Sequence, residues 1–297
     1  MIEMFTGLSI YDFQSKFGDD KSCTDALVEM KWGQGYKCRY CSYTNYCTTK
    51  RYGERRCCSC KKPESATAQT LFHKLKFPIH KAFMMMYLIS TTKKGISAAE
   101  LHRKMGVHRR TAHLFKRKVM AVMSSFCTYK MDGDVEVDET FVGGKEKGKK
   151  GRSKGSKKLV AVGIQKKGKG ISRAYLREIR DAGVKQLEPF FLDHISKDAE
   201  ITTDNWRSYT SLKKKSWNIT QIKSENGKNF DPIHRFIMNF KAWLRGIFGS
   251  VRDLQPYMDE YVFKFNRNKM GGRIFNTVLK RMVNYPPRTY KDIFSVT

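Results

Sequence analysis

The chain has 297 residues, of which 58 are Lys or Arg and 28 are Asp or Glu, a net charge of +30. A field of that sign draws polyanions and excludes a cationic partner, while 40% hydrophobic and 12% aromatic residues exclude a basic disordered tail. The longest clean apolar run, residues 82–89, is far short of the ~20 residues of a spanning helix; with no basic-then-apolar N-terminal pattern, a soluble, intracellular protein with no membrane partner is expected.

The length suggests about two domains, and the pattern along the chain divides further. The expected segments are a helical lead-in over 1–30, a cysteine-rich module over 31–72 and a basic helical region over 73–130. A mixed α/β domain over 131–268 and a helical tail over 269–297 complete the division.

Six of the eight cysteines fall within 38–60. Cys38-Arg-Tyr-Cys41 and Cys57-Cys58-Ser-Cys60 form two C-x-x-C knuckles separated by 15 residues, a spacing suited to a four-thiolate zinc site. Each knuckle puts two sulfurs on one side of a tight turn, and a hairpin joining the turns completes a tetrahedron around Zn²⁺. Cys47 is either surplus or an alternative ligand, and Cys58 could replace a member of the second knuckle. A disulfide-linked module is the alternative, disfavoured where thiols stay reduced.

Residues 71–130 carry 13 basic side chains and one acid. Phe77-Pro78-Ile79 opens a helix whose Met run reads as core. Ser97 and Glu100 make a capping-box pattern, and Gly106 ends that helix in a turn. A second helix over about 108–118 then carries His108, Arg109, Arg110, His113, Arg117 and Lys118. Helix, glycine turn and basic helix match a helix-turn-helix reading double-stranded DNA. His108, Arg109, Arg110 and His113 are expected nearest the groove, with Arg117 further along. An ordinary helical hairpin is the alternative.

The rest reads as strands at 134–142, 159–164 and 172–179, a helix at 184–195, a strand at 200–203 and a helix from 206 to 212. A fifth strand at 217–222 and helices near 232–247, 254–266 and 273–283 follow. Residues 145–158, with eight basic residues, form a hairpin tip that could touch phosphate. Three hairpin-joined strands followed by alternating units give a mixed sheet with helices on its faces, an order that resembles the RNase H-like fold.

In that topology the first and fourth strands are neighbours, which brings Asp138 and Asp204 together. Two adjacent carboxylates repel, and a divalent cation such as Mg²⁺ relieves this by bridging them. A third ligand is expected on the helix after the fifth strand. Asn239 lies 35 positions after Asp204, with His234 one turn earlier on a nearby face. Surface or helix-entry roles are the alternatives for both. Lys241 and Arg245 are expected to contact phosphate. Glu136, on the strand face of Asp138, is a candidate spare acid, and Trp206 is expected in the core.

These blocks together resemble an insertion-sequence transposase of the DDE superfamily with an N-terminal zinc ribbon, of the ISXO2-like group related to Merlin elements. The carriers are the two knuckles, Lys93 to Ala98, Val135 to Gly144, Thr203-Asp204, His234 to Gly246 and Tyr257 to Arg267, spanning about 20–268. The resemblance implies binding of terminal inverted repeats, cleavage of DNA and joining to target DNA with Mg²⁺ or Mn²⁺. Joining two ends implies a homodimer or higher oligomer on DNA. Asp138 and Asp204 carry over as the first two metal-binding acids. The third family acid is usually Glu; Asn239 stands there, an amide that binds a metal without charge. That departure leaves open a catalytically inactive DNA-binding relative.

Overall fold

The structure, a computed structural model, describes residues 5–7, 9–125, 127–144, 157–249 and 251–294. Most of the lysine-rich hairpin tip, residues 145–156, lies outside the described residues. The chain divides into two compact units: Met1–Val122 with Arg267–Thr297, and Met123–Asn266. No helix among the described residues is long and apolar enough to cross a membrane.

In the first unit, α1 (Ile10–Phe17) opens with a capping box in which Ser9 and Asp12 satisfy each other's backbone N–H groups. Asp19 caps α2 (Asp20–Trp32). Three short strands, β1 (Tyr46–Thr48), β2 (Glu54–Cys57) and β3 (Pro63–Ser65), form an antiparallel sheet. Helix α3 (Ile79–Thr91) is the hub of the unit, with Ala82, Phe83, Met85, Met86, Tyr87 and Ile89 buried. The methionine run is therefore core, as its spacing suggested.

Helix α4 (Ala98–Met105), capped by Ser97, ends at Gly106, whose φ of 61° is a left-handed conformation that favours glycine. Val107 is buried under the junction, and α5 (Arg109–Ala121) follows.

The second unit is a five-stranded sheet in the order β6-β5-β4-β7-β8. Its strands are β4 (Asp134–Val142), β5 (Lys158–Lys167), β6 (Gly170–Ile179), β7 (Glu200–Thr203) and β8 (Ile219–Gln221). The first three strands pair antiparallel, whereas β7 runs parallel to β4 and β8 parallel to β7. This is the strand order of the RNase H-like fold. Helices α6 (Val184–His194), α7 (Arg207–Lys213), α8 (Asp231–Phe248) and α9 (Gln255–Phe265) complete it. Strand β8 is shorter than the expected 217–222, and Trp217, before it, packs edge-on to Phe191 at 5.2 Å.

A core of Val135, Val137, Val160, Val162, Phe190, Phe191, Ile233 and Phe236 lies between strands and helices. Gly163 permits this packing, since a Cβ there would lie 2.6 Å from Met131 Cε. The free edge of β6 is closed by two side-chain amides at the ends of α9. Gln255 accepts from Glu178 N (2.9 Å) and donates to Leu176 O (3.2 Å). Asn266 accepts from Ala174 N (2.9 Å) and donates to Ala174 O (3.0 Å). These bonds occupy backbone groups that an open edge leaves unpaired.

Helices α10 (Ile274–Asn284) and α11 (Tyr290–Phe294) belong to the first unit. The segment expected as a separate tail is thus part of that unit's core. Phe275 packs against Phe13 at 5.1 Å and Phe83 at 5.9 Å, and Asn276 bonds both backbone groups of Phe5.

Candidate active site and metal centre

The register of β4 and β7 places Val137 opposite Thr203, so the next residues, Asp138 and Asp204, stand side by side. Asp204 is held at the end of its strand by Trp206 N–H, which donates to Oδ1 at 3.0 Å. The Gln221 amide from β8 donates to the backbone carbonyls of Asp204 (3.2 Å) and Trp206 (3.0 Å) and fixes the same turn. Asp138 Oδ1 accepts from Glu139 N–H at 2.8 Å, and Oδ2 lies 3.3 Å from His234 Nε2. Burial raises the Asp138 carboxyl above the usual carboxylate range and the charge of Asp204 adds to this, against the opposing influence of Glu139 N–H and His234. Two neighbouring hard oxygen donors, one of them costly to ionise alone, fit a divalent cation such as Mg²⁺ or Mn²⁺.

Helix α8 buries Ile233, Phe236, Ile237, Phe240 and Leu244. That face sets the phase of the helix and turns His234 and Lys241 toward β4. Lys241 Nζ donates to Thr140 Oγ1 at 2.6 Å, and its burial lowers the ammonium's pKa while the Asp138 carboxylate opposes this. Arg245 follows one turn later and is exposed.

Asn239, expected as the third metal ligand, is exposed and sits roughly 140° around the helix from His234. His234 is the α8 residue that meets Asp138. The nearby-face relation expected between His234 and Asn239 is corrected by the helix period itself, which separates side chains five residues apart by that angle, and the docking of α8 turns His234 to Asp138.

Glu136 is likewise not a spare acid of the site. It is buried, with 3% exposure, and Lys166 Nζ holds it at 3.0 Å while binding Asp134 at the same distance. Trp206 is half-buried and donates its indole N–H to Ala182 O at 3.0 Å. The sequence reading missed a supporting contact: the fully buried Tyr209 donates its hydroxyl to Glu139 Oε1 at 2.5 Å. This pins the residue beside Asp138 to α7.

The Sγ atoms of Cys38, Cys41, Cys57 and Cys60 all lie within 4.8 Å of one another. The two knuckles have the same backbone. Ser42 N–H donates to Cys38 O and Lys61 N–H to Cys57 O, and Ser42 and Lys61 both have φ near 60°. Burial works against the Cys38 thiolate, but N–H groups of Tyr40 and Cys41 directed at the sulfur outweigh it and bring the thiol down to about 6. Tyr43 N–H acts in the same direction on Cys41. Four soft sulfur donors gathered in a closed cluster fit a structural zinc ion.

In α5, His108, Arg109 and Arg110 are exposed together at the N-terminal end. His113 is half-buried, its ring 4.9 Å from Phe294 of α11. Arg117, expected on the DNA-reading face, is buried with its guanidinium over the Phe294 ring at 5.6 Å. It is a packing residue of the first unit.

The family model of the ISXO2-like transposase domain matches residues 130–266. Among solved structures, the chain is similar to one titled "Crystal structure of a pre-cleavage Mos1 transpososome". The identity is 10% over 62% of this chain and 74% of that chain, with a TM-score of 0.26. No curated protein matches the chain. The family match falls on the segment whose RNase H-like sheet brings Asp138 and Asp204 together, and over this segment the chain is similar to the ISXO2-like transposase domains.

Proposed function

We propose that the protein binds the terminal inverted repeats of a mobile element, cleaves phosphodiester bonds there and joins the ends to target DNA. The observation that carries this reading is the pairing of Asp138 and Asp204 on adjacent parallel strands with His234 against the first acid. Asp138 and Asp204 would hold Mg²⁺ or Mn²⁺. Bound there, the metal supplies activation of the attacking oxygen and stabilisation of the leaving one.

His234 orients Asp138 by a hydrogen bond. Lys241 and Arg245, on the same flank of α8, meet phosphates beside the scissile bond. His108, Arg109 and Arg110 enter the groove of the duplex, and His113 lies behind them. A zinc ion on Cys38, Cys41, Cys57 and Cys60 holds the ribbon in shape. Two copies of the chain act together, since two element ends must be joined.

The test is cleavage of a duplex carrying the element end, with Mg²⁺ or Mn²⁺ supplied. Asp138→Asn and Asp204→Asn are each expected to abolish cleavage while binding persists. Retained cleavage in either variant overturns the assignment. A wild-type protein that binds the end and never cuts it establishes the non-catalytic DNA-binding reading instead. That reading is favoured by His234, a histidine standing against Asp138 on α8 where a third acid is usual.

A further inference from the structure

Beside the zinc set, a second pair of thiols lies close. Cys47 Sγ is 3.4 Å from Cys58 Sγ. The register of the ribbon hairpin produces this approach. Cys47 pairs with Arg56 and Tyr46 with Cys57, and the ladder continues where Cys58 N–H donates to Asn45 O at 3.1 Å. Side chains alternate along a strand, so Cys57 turns into the four-thiolate cluster and Cys58 to the other face. There it is the diagonal neighbour of Cys47, a pairing within side-chain reach.

Cys47 is exposed and Cys58 half-exposed, so a small oxidant reaches both. Among the described residues no third His, Cys, Asp or Glu joins them in a metal-sized group. The pair therefore offers two sulfurs to each other and an incomplete ligand set to a metal.

We propose that Cys47 and Cys58 are an oxidation site, converted by a peroxide to a disulfide across the hairpin while the four zinc thiolates stay intact. One thiolate attacks a peroxide oxygen, the O–O bond breaks, and a sulfenic acid and water form. The second sulfur then attacks the first, the S–O bond breaks, and another water leaves. The two sulfurs together give up two electrons, which reduce the peroxide. A dithiol reductant reverses the bond by exchange. The disulfide ties β1 to the second knuckle, so the knuckle keeps its place without relying on the metal alone. The oxidised protein is expected to yield zinc to a chelator at least several-fold more slowly than the reduced one.

The experiment treats the full-length, zinc-loaded protein with equimolar hydrogen peroxide. It reads intact mass, cross-linked peptides and zinc content. The expected result is a loss of two hydrogen masses, a Cys47–Cys58 cross-link, retained zinc and slowed transfer to the chelator. An unchanged mass, a cross-link between zinc cysteines with release of the metal, or unslowed transfer overturns the proposal. Cys47→Ser must abolish the mass loss, and its persistence in that variant is equally decisive against it. Cys58→Ser, with the same reading, supplies the second variant should Cys47→Ser fail to fold.

Discussion

His234 Nε2 stands 3.3 Å from Asp138 Oδ2, and Lys241, seven residues further along the same helix, donates to Thr140 at 2.6 Å. The helix thus addresses β4 through two residues two turns apart. Partners that orient a metal-binding carboxylate typically contribute 10–100-fold to metal affinity or activity. His234→Ala is therefore expected to lower the cleavage rate by about 10–100-fold, and Asn239→Ala to be clearly milder. Rates for the two variants at saturating Mn²⁺ and DNA decide this; a larger loss in Asn239→Ala would refute the helix phase as the basis of the site.

The Asp138 carboxyl is raised by burial and by Asp204. A raised acid favours the protonated form in the folded state, so its stabilising contribution is present at low pH and is lost as pH rises through the folded pKa. At neutral pH without a divalent ion, Asp138 ionises at a cost to the fold. Asp138→Asn is expected to raise the Tm of the metal-free protein at pH 7, with the advantage shrinking on acidification toward the carboxylate range. Mg²⁺ or Mn²⁺ should stabilise the wild type and leave the variant nearly unchanged. Thermal melts with and without the ions measure both effects, and a variant that melts below the wild type at neutral pH counts against the pair.

The four sulfurs were legible from local spacing and the two acids from the order of the strands. The C-x-x-C spacing carries the sulfur geometry of each knuckle, and strand order makes Asp138 and Asp204 neighbours. The remainder depends on packing that no local pattern encodes. Arg117 looked available until α11 placed Phe294 over its guanidinium. Glu136 shares a strand face with Asp138, yet its fate is set by Lys166 on β5. Asn239 and His234 lie on one predicted helix, and only the docking of its apolar face distinguishes them. Tyr209 meets Glu139 across a separation of 70 residues.

The amide clamp on β6 predicts a stability effect far from the acids. Asn266→Leu removes two hydrogen bonds and leaves Ala174 N–H and C=O without that partner. A loss of about 1–3 kcal/mol is expected from the unsatisfied backbone groups, together with a greater tendency to associate through the opened edge. Urea unfolding and light scattering measure these, and an unchanged midpoint would show that water replaces the clamp at no cost.

Removal of zinc should unfold the ribbon, because a small cysteine module draws its folding energy from the metal. Arg55 of β2 stacks over Tyr46 at 3.9 Å and over Trp32 at 4.7 Å, which makes Trp32 a reporter of the ribbon. Chelation is expected to shift the tryptophan emission, and Trp32→Phe to remove that shift. Native mass spectrometry should find one zinc per chain, and none in Cys38→Ser. Zinc-free protein with unchanged emission would separate the ribbon's fold from any metal.

His194 gives the second unit an acid-labile point. It is 5% exposed, stacked on Tyr175 with ring centroids 4.3 Å apart. Burial, with Arg177 nearby, lowers its pKa from 6.5 to about 4. A depressed histidine stays neutral in the fold while the unfolded chain takes up a proton. Its contribution is therefore fully present above pH 6.5 and is lost as pH falls toward about 4. At about 1.4 kcal/mol per unit, that loss amounts to about 3 kcal/mol across the window. His194→Phe keeps the ring stack without a titrating nitrogen. Between pH 6.5 and 4 the variant is expected to lose less stability than the wild type by that amount. Parallel denaturant titrations across the window measure it, and identical slopes in the two proteins would mean that His194 protonates in the fold as readily as in the unfolded chain.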